Sequence, residues 1–255
     1  MRFWVVGLCS LLWCESGSAQ TKKPDLGLLQ MQCDEAGMAL QCAQAGVLLE
    51  QKKQIKQAAI YYKKACFAQI NPQGTSCYLL ALLLSEPKEA WSLYQRACSL
   101  KEPDGCTSAG EYANKSSDPT IRQKAAALYQ EGCNLGDGRG CHRVARLLFA
   151  QKREQAGIPL LKRACVLKYA PGCGYLGWHY ETKSKDAVRA EKLFRIGCAL
   201  RGGSIECARL GLLLMRKGQP QEALRFLRRS CRQGFRQACL RARQLGKSIE
   251  PSPRP

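Results

Sequence analysis

A chain of 255 residues with 45% hydrophobic and 24% charged residues has the means to bury a core, which excludes general disorder. Its 40 Lys and Arg against 20 Asp and Glu give a formal net charge of +20, which favours anionic partners without selecting among acidic proteins, lipid headgroups, cell-wall polymers and nucleic acid.

The chain opens with Arg2, an apolar run from Phe3 to Trp13, and a small polar stretch ending Gly17-Ser18-Ala19. That order reads as an export signal over residues 1–19, cleaved after Ala19. The apolar run is too short to span a bilayer, and no later run approaches spanning length, so no transmembrane segment is expected in the mature chain. A lipoprotein signal at Cys9 or Cys14 is the competing reading, disfavoured because Leu8 and Trp13 are large where a small residue is required. Residues 20–25 read as a linker.

Of the sixteen cysteines, Cys9 and Cys14 fall inside the signal. The rest form a register. The first cysteine of each pair is Cys33, Cys66, Cys98, Cys133, Cys165, Cys198 or Cys231, separated by 33, 32, 35, 32, 33 and 33 residues. The second follows 9, 11, 8, 8, 8, 9 and 8 residues later, at Cys42, Cys77, Cys106, Cys141, Cys173, Cys207 and Cys239. A fixed period of this length marks a seven-unit repeat array, placed here over residues 26–245. Behind an export signal, an even and regular set reads as a disulfide framework, with proximity suggesting Cys33-Cys42, Cys66-Cys77, Cys98-Cys106, Cys133-Cys141, Cys165-Cys173, Cys198-Cys207 and Cys231-Cys239. Redox catalysis is disfavoured because no C-x-x-C occurs. His142 and His179 complete no metal-ligand set, so neither cofactor nor metal is expected.

Ahead of each first cysteine lie apolar residues three and four apart, as in Ala90, Leu93, Tyr94 and Ala97 before Cys98, which make one buried helical stripe. Asn71-Pro72-Gln73-Gly74, Pro103-Asp104-Gly105 and Pro171-Gly172 read as turns that reverse the chain. The second cysteine then opens another helix. Four residues after it stands Gly or Ala in repeats two to six, a recurrence that implies a close helix crossing. Each unit is therefore an αα-hairpin, and the fold class is all-α. Arg243 stands at the small position of repeat seven, as suits a terminal cap, and residues 246–255 read as a disordered tail.

The stretch Ala164-Cys165 with Gly172-Cys173-Gly174-Tyr175-Leu176-Gly177, and its six counterparts, resembles the Sel-one-like repeat, a relative of the tetratricopeptide repeat. With a cysteine pair in every unit, the chain is similar to the secreted Helicobacter-type cysteine-rich protein family. The resemblance implies a right-handed α/α solenoid with one disulfide per hairpin, recognition of proteins or peptides and, for some members, β-lactam binding or weak β-lactamase activity. Fold does not carry function with it.

The only S-x-x-K, Ser85-Glu86-Pro87-Lys88, lies in an inter-repeat turn without an S-D-N or K-T-G companion, so the residues of any hydrolase site are not named by the sequence. A binding surface is easier to place. The second and fifth residues after each second cysteine should face neither core nor neighbour, which offers Leu79 and Leu82, Ser108 and Glu111, Arg143 and Arg146, Tyr175 and Trp178, and Arg209 with Leu212. Exposed Trp, Tyr and Arg suit an interface, while packing between repeats would account equally for Tyr175 and Trp178. A second candidate is a basic cap of Arg225, Arg228, Arg229, Arg232 and Arg236, with Glu222 nearby. The expected function is that of an exported, periplasmic or secreted scaffold for an acidic protein or peptide, or for an anionic envelope component. The alternatives are a β-lactam or peptidoglycan-precursor binder with weak β-lactamase activity, which the resemblance alone implies, and an assembly or export factor of an oxidising organelle such as the mitochondrial intermembrane space. Nucleic acid is not an expected partner, because aromatic residues do not alternate with the arginines.

Overall fold

The computed structural model describes residues 25–249. The expected signal, the remainder of the linker and the end of the tail lie outside them. The described residues form fifteen helices in seven hairpins. The first three hairpins pair α1 (Leu26–Ala36) with α2 (Ala39–Gln51), α3 (Ile55–Cys66) with α4 (Gly74–Leu83), and α5 (Pro87–Ser99) with α6 (Pro103–Lys115). In the fourth, the first arm is broken into α7 (Pro119–Gln123) and α8 (Ala125–Asn134), returning as α9 (Gly138–Ala150). The last three pair α10 (Glu154–Val166) with α11 (Ala170–Thr182), α12 (Ala187–Ala199) with α13 (Ser204–Arg216), and α14 (Pro220–Arg232) with α15 (Arg236–Ile249).

Local chemistry sets the helix ends. Asp25, Asp118, Asp137 and Asp186 cap N-termini by accepting backbone N–H bonds from Gly27, Thr120, Arg139 and Arg189. Pro87, Pro103, Pro119, Pro171 and Pro220 sit in first turns, where a missing N–H costs nothing. This corrects the turn assignment. Pro103-Asp104-Gly105 and Pro171-Gly172 open α6 and α11, and the chain reverses a few residues earlier. One residue in the left-handed region makes each reversal: Gly37, Asn71, Lys101, Gly136, Lys168, Gly202 or Gly234. Gly105 and Gly172 serve packing instead, since a Cβ on either would lie 2.5 Å from the Cβ of Ala97 or Ala164. α15 also runs on through Gly246 to Ile249, into the segment expected to be tail.

Each hairpin is closed by its disulfide, with Cα atoms 4.4 to 4.8 Å apart in all seven. Successive hairpins then lock by a repeated socket. The small residue four places after the second cysteine receives the large side chain four places before the next first cysteine: Gly46 takes Tyr62, Gly110 takes Tyr129, Gly177 takes Phe194 and Gly211 takes Leu227. Those four knobs are buried. The helix-propensity cost of glycine, about 1 kcal/mol, is thereby offset by aromatic and aliphatic burial. Gly110→Ala tests this: a Cβ there would sit 2.6 Å from the Tyr129 ring. The variant should lose about 1–2 kcal/mol in denaturant unfolding despite its better helix former. At the corresponding place in the seventh hairpin stands Arg243, which is exposed.

Apolar clusters run along the chain rather than forming one nucleus, as expected when each unit packs on its neighbours. First helices wedge between second helices, and the second helices α4, α6, α9, α11 and α13 touch in succession. They form a continuous second-helix face, on which the candidate site lies.

Candidate binding face

Along this face, the candidate residues meet different fates. Leu79 is half-buried and Leu82 exposed, whereas Ser108 is buried, close to the hydroxyl of Tyr78. That removes Ser108 from the surface. Arg143 donates from Nε and Nη2 to one oxygen of Glu111, at 3.0 and 2.6 Å, so these two expected contact residues spend their charge on each other. Arg146, one turn further along α9, is exposed.

On α11, Tyr175 and Trp178 meet edge to face at 5.3 Å between ring centres. Tyr175 also meets Phe149 at 5.2 Å, and Trp178 packs on the C-terminal apolar cluster. Both rings nevertheless stay half-exposed, so they join repeats and together present an angled aromatic surface. Arg209 follows on α13, half-buried beside half-buried Leu212.

Charge pairing separates the arginines. Arg139 binds Asp104 at 2.5 Å, Arg195 binds Glu191 and Glu222 at 2.8 Å, and Arg216 pairs with Glu181. Among the described residues, Arg146 and Arg209 make no hydrogen bond or ion pair. They flank the Tyr175–Trp178 pair on the preceding and following second helices. Two guanidinium groups without an ion-pair partner thus lie on the helices either side of the aromatic pair, with buried Glu206 within electrostatic reach of Arg209.

His142 lies under this surface, 7% exposed, with its Nδ1 lacking a hydrogen-bond partner. Burial, reinforced by Arg146 and then Arg143, lowers its pKa to about 4, so the imidazole is neutral at pH 7. Its ring sits 5.5 Å from Tyr169 and 6.0 Å from Tyr175. The sequence does not reveal this burial, because Tyr169 and Tyr175, the rings packed on His142, belong to the next hairpin.

Two hollows on the face were also not legible. One, about 250 Å³, lies between α2 and α4 and is walled by Ala43, Val47, Leu48 and Leu79. The other, about 270 Å³, involves Ile205, Arg209, Leu212 and Phe235. Arg225, Arg228, Arg229 and Arg232 line a shallow cavity on α14 with Phe226, and Arg236 is exposed at the start of α15. Glu222, on the same helix, is held by Arg195. Ser85 is exposed in the connection between α4 and α5, and Lys88 is exposed in the first turn of α5; neither is enclosed as a nucleophile and its base would be. Among the described residues, no three His, Cys, Asp or Glu side chains converge as a metal site would need. None of the described helices is long and apolar enough to cross a membrane.

No family model matches the sequence, and no curated protein matches it. Its fold is similar to that of a protective antigen of uropathogenic Escherichia coli with an SLR fold, at a TM-score of 0.74 and 14% identity, covering 89% of this chain. This chain spans 53% of that antigen's length. A Sel1 repeat protein from Oxalobacter formigenes aligns at a TM-score of 0.66 and 16% identity, over 77% of this chain and 86% of its own. A chain of the APC/C hetero-tetramer Cut9–Hcn1 aligns at a TM-score of 0.59 and 18% identity, over 86% of this chain and 45% of its own. Taken with seven cysteine-closed hairpins, these likenesses show the fold: a helical-repeat solenoid similar to that of Sel1 repeat proteins.

Proposed function

We propose that this chain is an exported scaffold that binds an acidic, extended segment of a protein or peptide on its second-helix face. The observation that carries this reading is the pair Arg146 and Arg209, without ion pairs on either side of Tyr175 and Trp178, while Arg139, Arg143, Arg195 and Arg216 are held by carboxylates. Solenoids of this kind offer such faces for recognition. Seven disulfides fit an oxidising compartment, which supports export. The overall charge of +20 adds long-range attraction for an acidic partner. The hydrolase alternative draws no support from exposed Ser85.

The test uses fluorescein-labelled peptides of alternating Glu and apolar residues, followed by anisotropy at low salt. Wild type should bind them, and Arg146→Ala with Arg209→Ala should weaken binding by about a hundredfold, near tenfold for each charge-assisted contact. Trp178→Ala should cost about tenfold more. Arg143→Ala, whose charge is already taken by Glu111, should matter less than Arg146→Ala. Equal binding by wild type and the double variant, with both folded, refutes the site. Crosslinking and mass spectrometry in the native compartment would then name the partner.

A further inference from the structure

Resting on that reading, we infer that the ligand is bipartite: an apolar side chain seats between α2 and α4, about eight residues from the part that lies over Tyr175 and Trp178. The second-helix face changes character along its length. α2 and α4 contain no Lys or Arg, and the hollow between them is walled by Val47, Leu48 and Leu79 with neutral Gln44, Gln73 and Thr75 at its rim. Leu40 and Leu82 extend the apolar surface, 52% and 53% exposed. Further along, α9 and α13 supply the cations. Between the two lies α6, whose Ser108 is buried and whose Glu111 is neutralised by Arg143, so the middle of the face makes no demand of its own.

An uncharged hollow suits an aliphatic or aromatic side chain, and the unpaired arginines suit carboxylates. Because α4, one wall of the hollow, and the helices that carry the arginines form one run of touching helices, a single extended segment reaches both. Packed helices stand ~9 Å apart. Three steps, from α4 through α6 and α9 to α11, cover ~27 Å, and an extended chain advances ~3.3 Å per residue, which gives about eight residues. By the same measure, the carboxylates for Arg146 and Arg209 fall about six and eleven residues from the anchor.

The experiment uses the full mature chain and four synthetic Gly/Ser-based peptides, in both chain directions. One carries a Leu with Glu six and eleven residues away, one the Leu alone, one the two Glu alone, and one both groups with the Leu moved four residues closer. Anisotropy should show the complete peptide binding at least tenfold tighter than each of the others. Val47→Asp, at a position 38% exposed, should lower the complete peptide to the affinity of the Glu-only peptide and leave the latter within twofold. Leu82→Asp, at a still more exposed position, should do the same, and circular dichroism confirms that both variants fold. If the Glu-only or shortened peptide binds as well as the complete one, or neither variant changes its affinity, the bipartite inference is overturned while acidic recognition stands. If no Glu-containing peptide binds, both are overturned.

Discussion

Reduction of the disulfides should unfold this protein at physiological temperature. Each bridge closes a loop of 8 to 11 residues, and loop-closure entropy makes each worth about 2.5 kcal/mol relative to the reduced chain. Seven such contributions exceed the 5–15 kcal/mol that ordinarily separates a folded domain from its unfolded state. The apolar clusters do not make up the difference, because the larger ones sit toward the two ends and the fourth hairpin rests on a small one around Tyr129 and Val144. Cys66, Cys77, Cys106, Cys133, Cys141, Cys173 and Cys207 are fully buried, so reduction also crowds two thiols where one bond was packed. Far-UV circular dichroism with and without reductant measures this. The oxidised protein should melt at least 20 °C above the reduced one, and residual helix should persist longest in the C-terminal hairpins, which hold the most extensive cluster. A reduced protein with free thiols and an unchanged midpoint would show that the core alone holds the array.

Much of this architecture is readable in one dimension because a solenoid repeats its contacts at a fixed sequence distance. The cysteine spacing places the hairpins, and the recurrent Gly or Ala after each second cysteine announces a close crossing before Tyr62, Tyr129, Phe194 and Leu227 are seen to fill it. Reversal points are less legible. Gly105 looks like a turn residue, yet it lies inside α6 against Ala97, while Lys101 adopts the left-handed turn conformation that composition would assign to glycine. The binding face is the least legible part. Periodicity says which side of a helix is free within its own hairpin, but the neighbour decides what remains free. Ser108 disappears under that neighbour packing, Arg143 is neutralised by Glu111 32 residues away, and Arg146 is left unpaired one turn later. No local pattern distinguishes those two arginines, because the distinction depends on which carboxylate the adjacent unit happens to carry.

The buried imidazole of His142 should make the fold sensitive to mild acid. In the unfolded chain this group has its ordinary pKa near 6.5; in the folded protein burial and two guanidinium groups bring it down to about 4. The unfolded state therefore binds the proton first as pH falls, and stability present above pH 6.5 drains away until the folded form protonates too, near pH 4. A difference of that size corresponds to a loss of about 3 kcal/mol. The window identifies the group: Asp34 and Glu191, whose pKa values are lowered chiefly by hydrogen bonds from Lys64 and Lys217, lose their contributions below the usual carboxylate range. Glu206 works in the opposite sense, because burial raises its pKa and its penalty disappears in acid. Urea unfolding at pH 7, 6, 5 and 4 should show the loss in wild type and a much flatter profile in His142→Phe, which keeps an aromatic ring against Tyr169 and Tyr175. Arg146→Ala should give an intermediate slope, since removing that cation raises the folded pKa toward its ordinary value. Parallel slopes in wild type and His142→Phe would assign the acid response elsewhere. An acidic ligand on Arg146 should act as the substitution does, screening the cation and easing protonation of His142, so that saturating peptide shifts the imidazole titration, followed by NMR, toward higher pH.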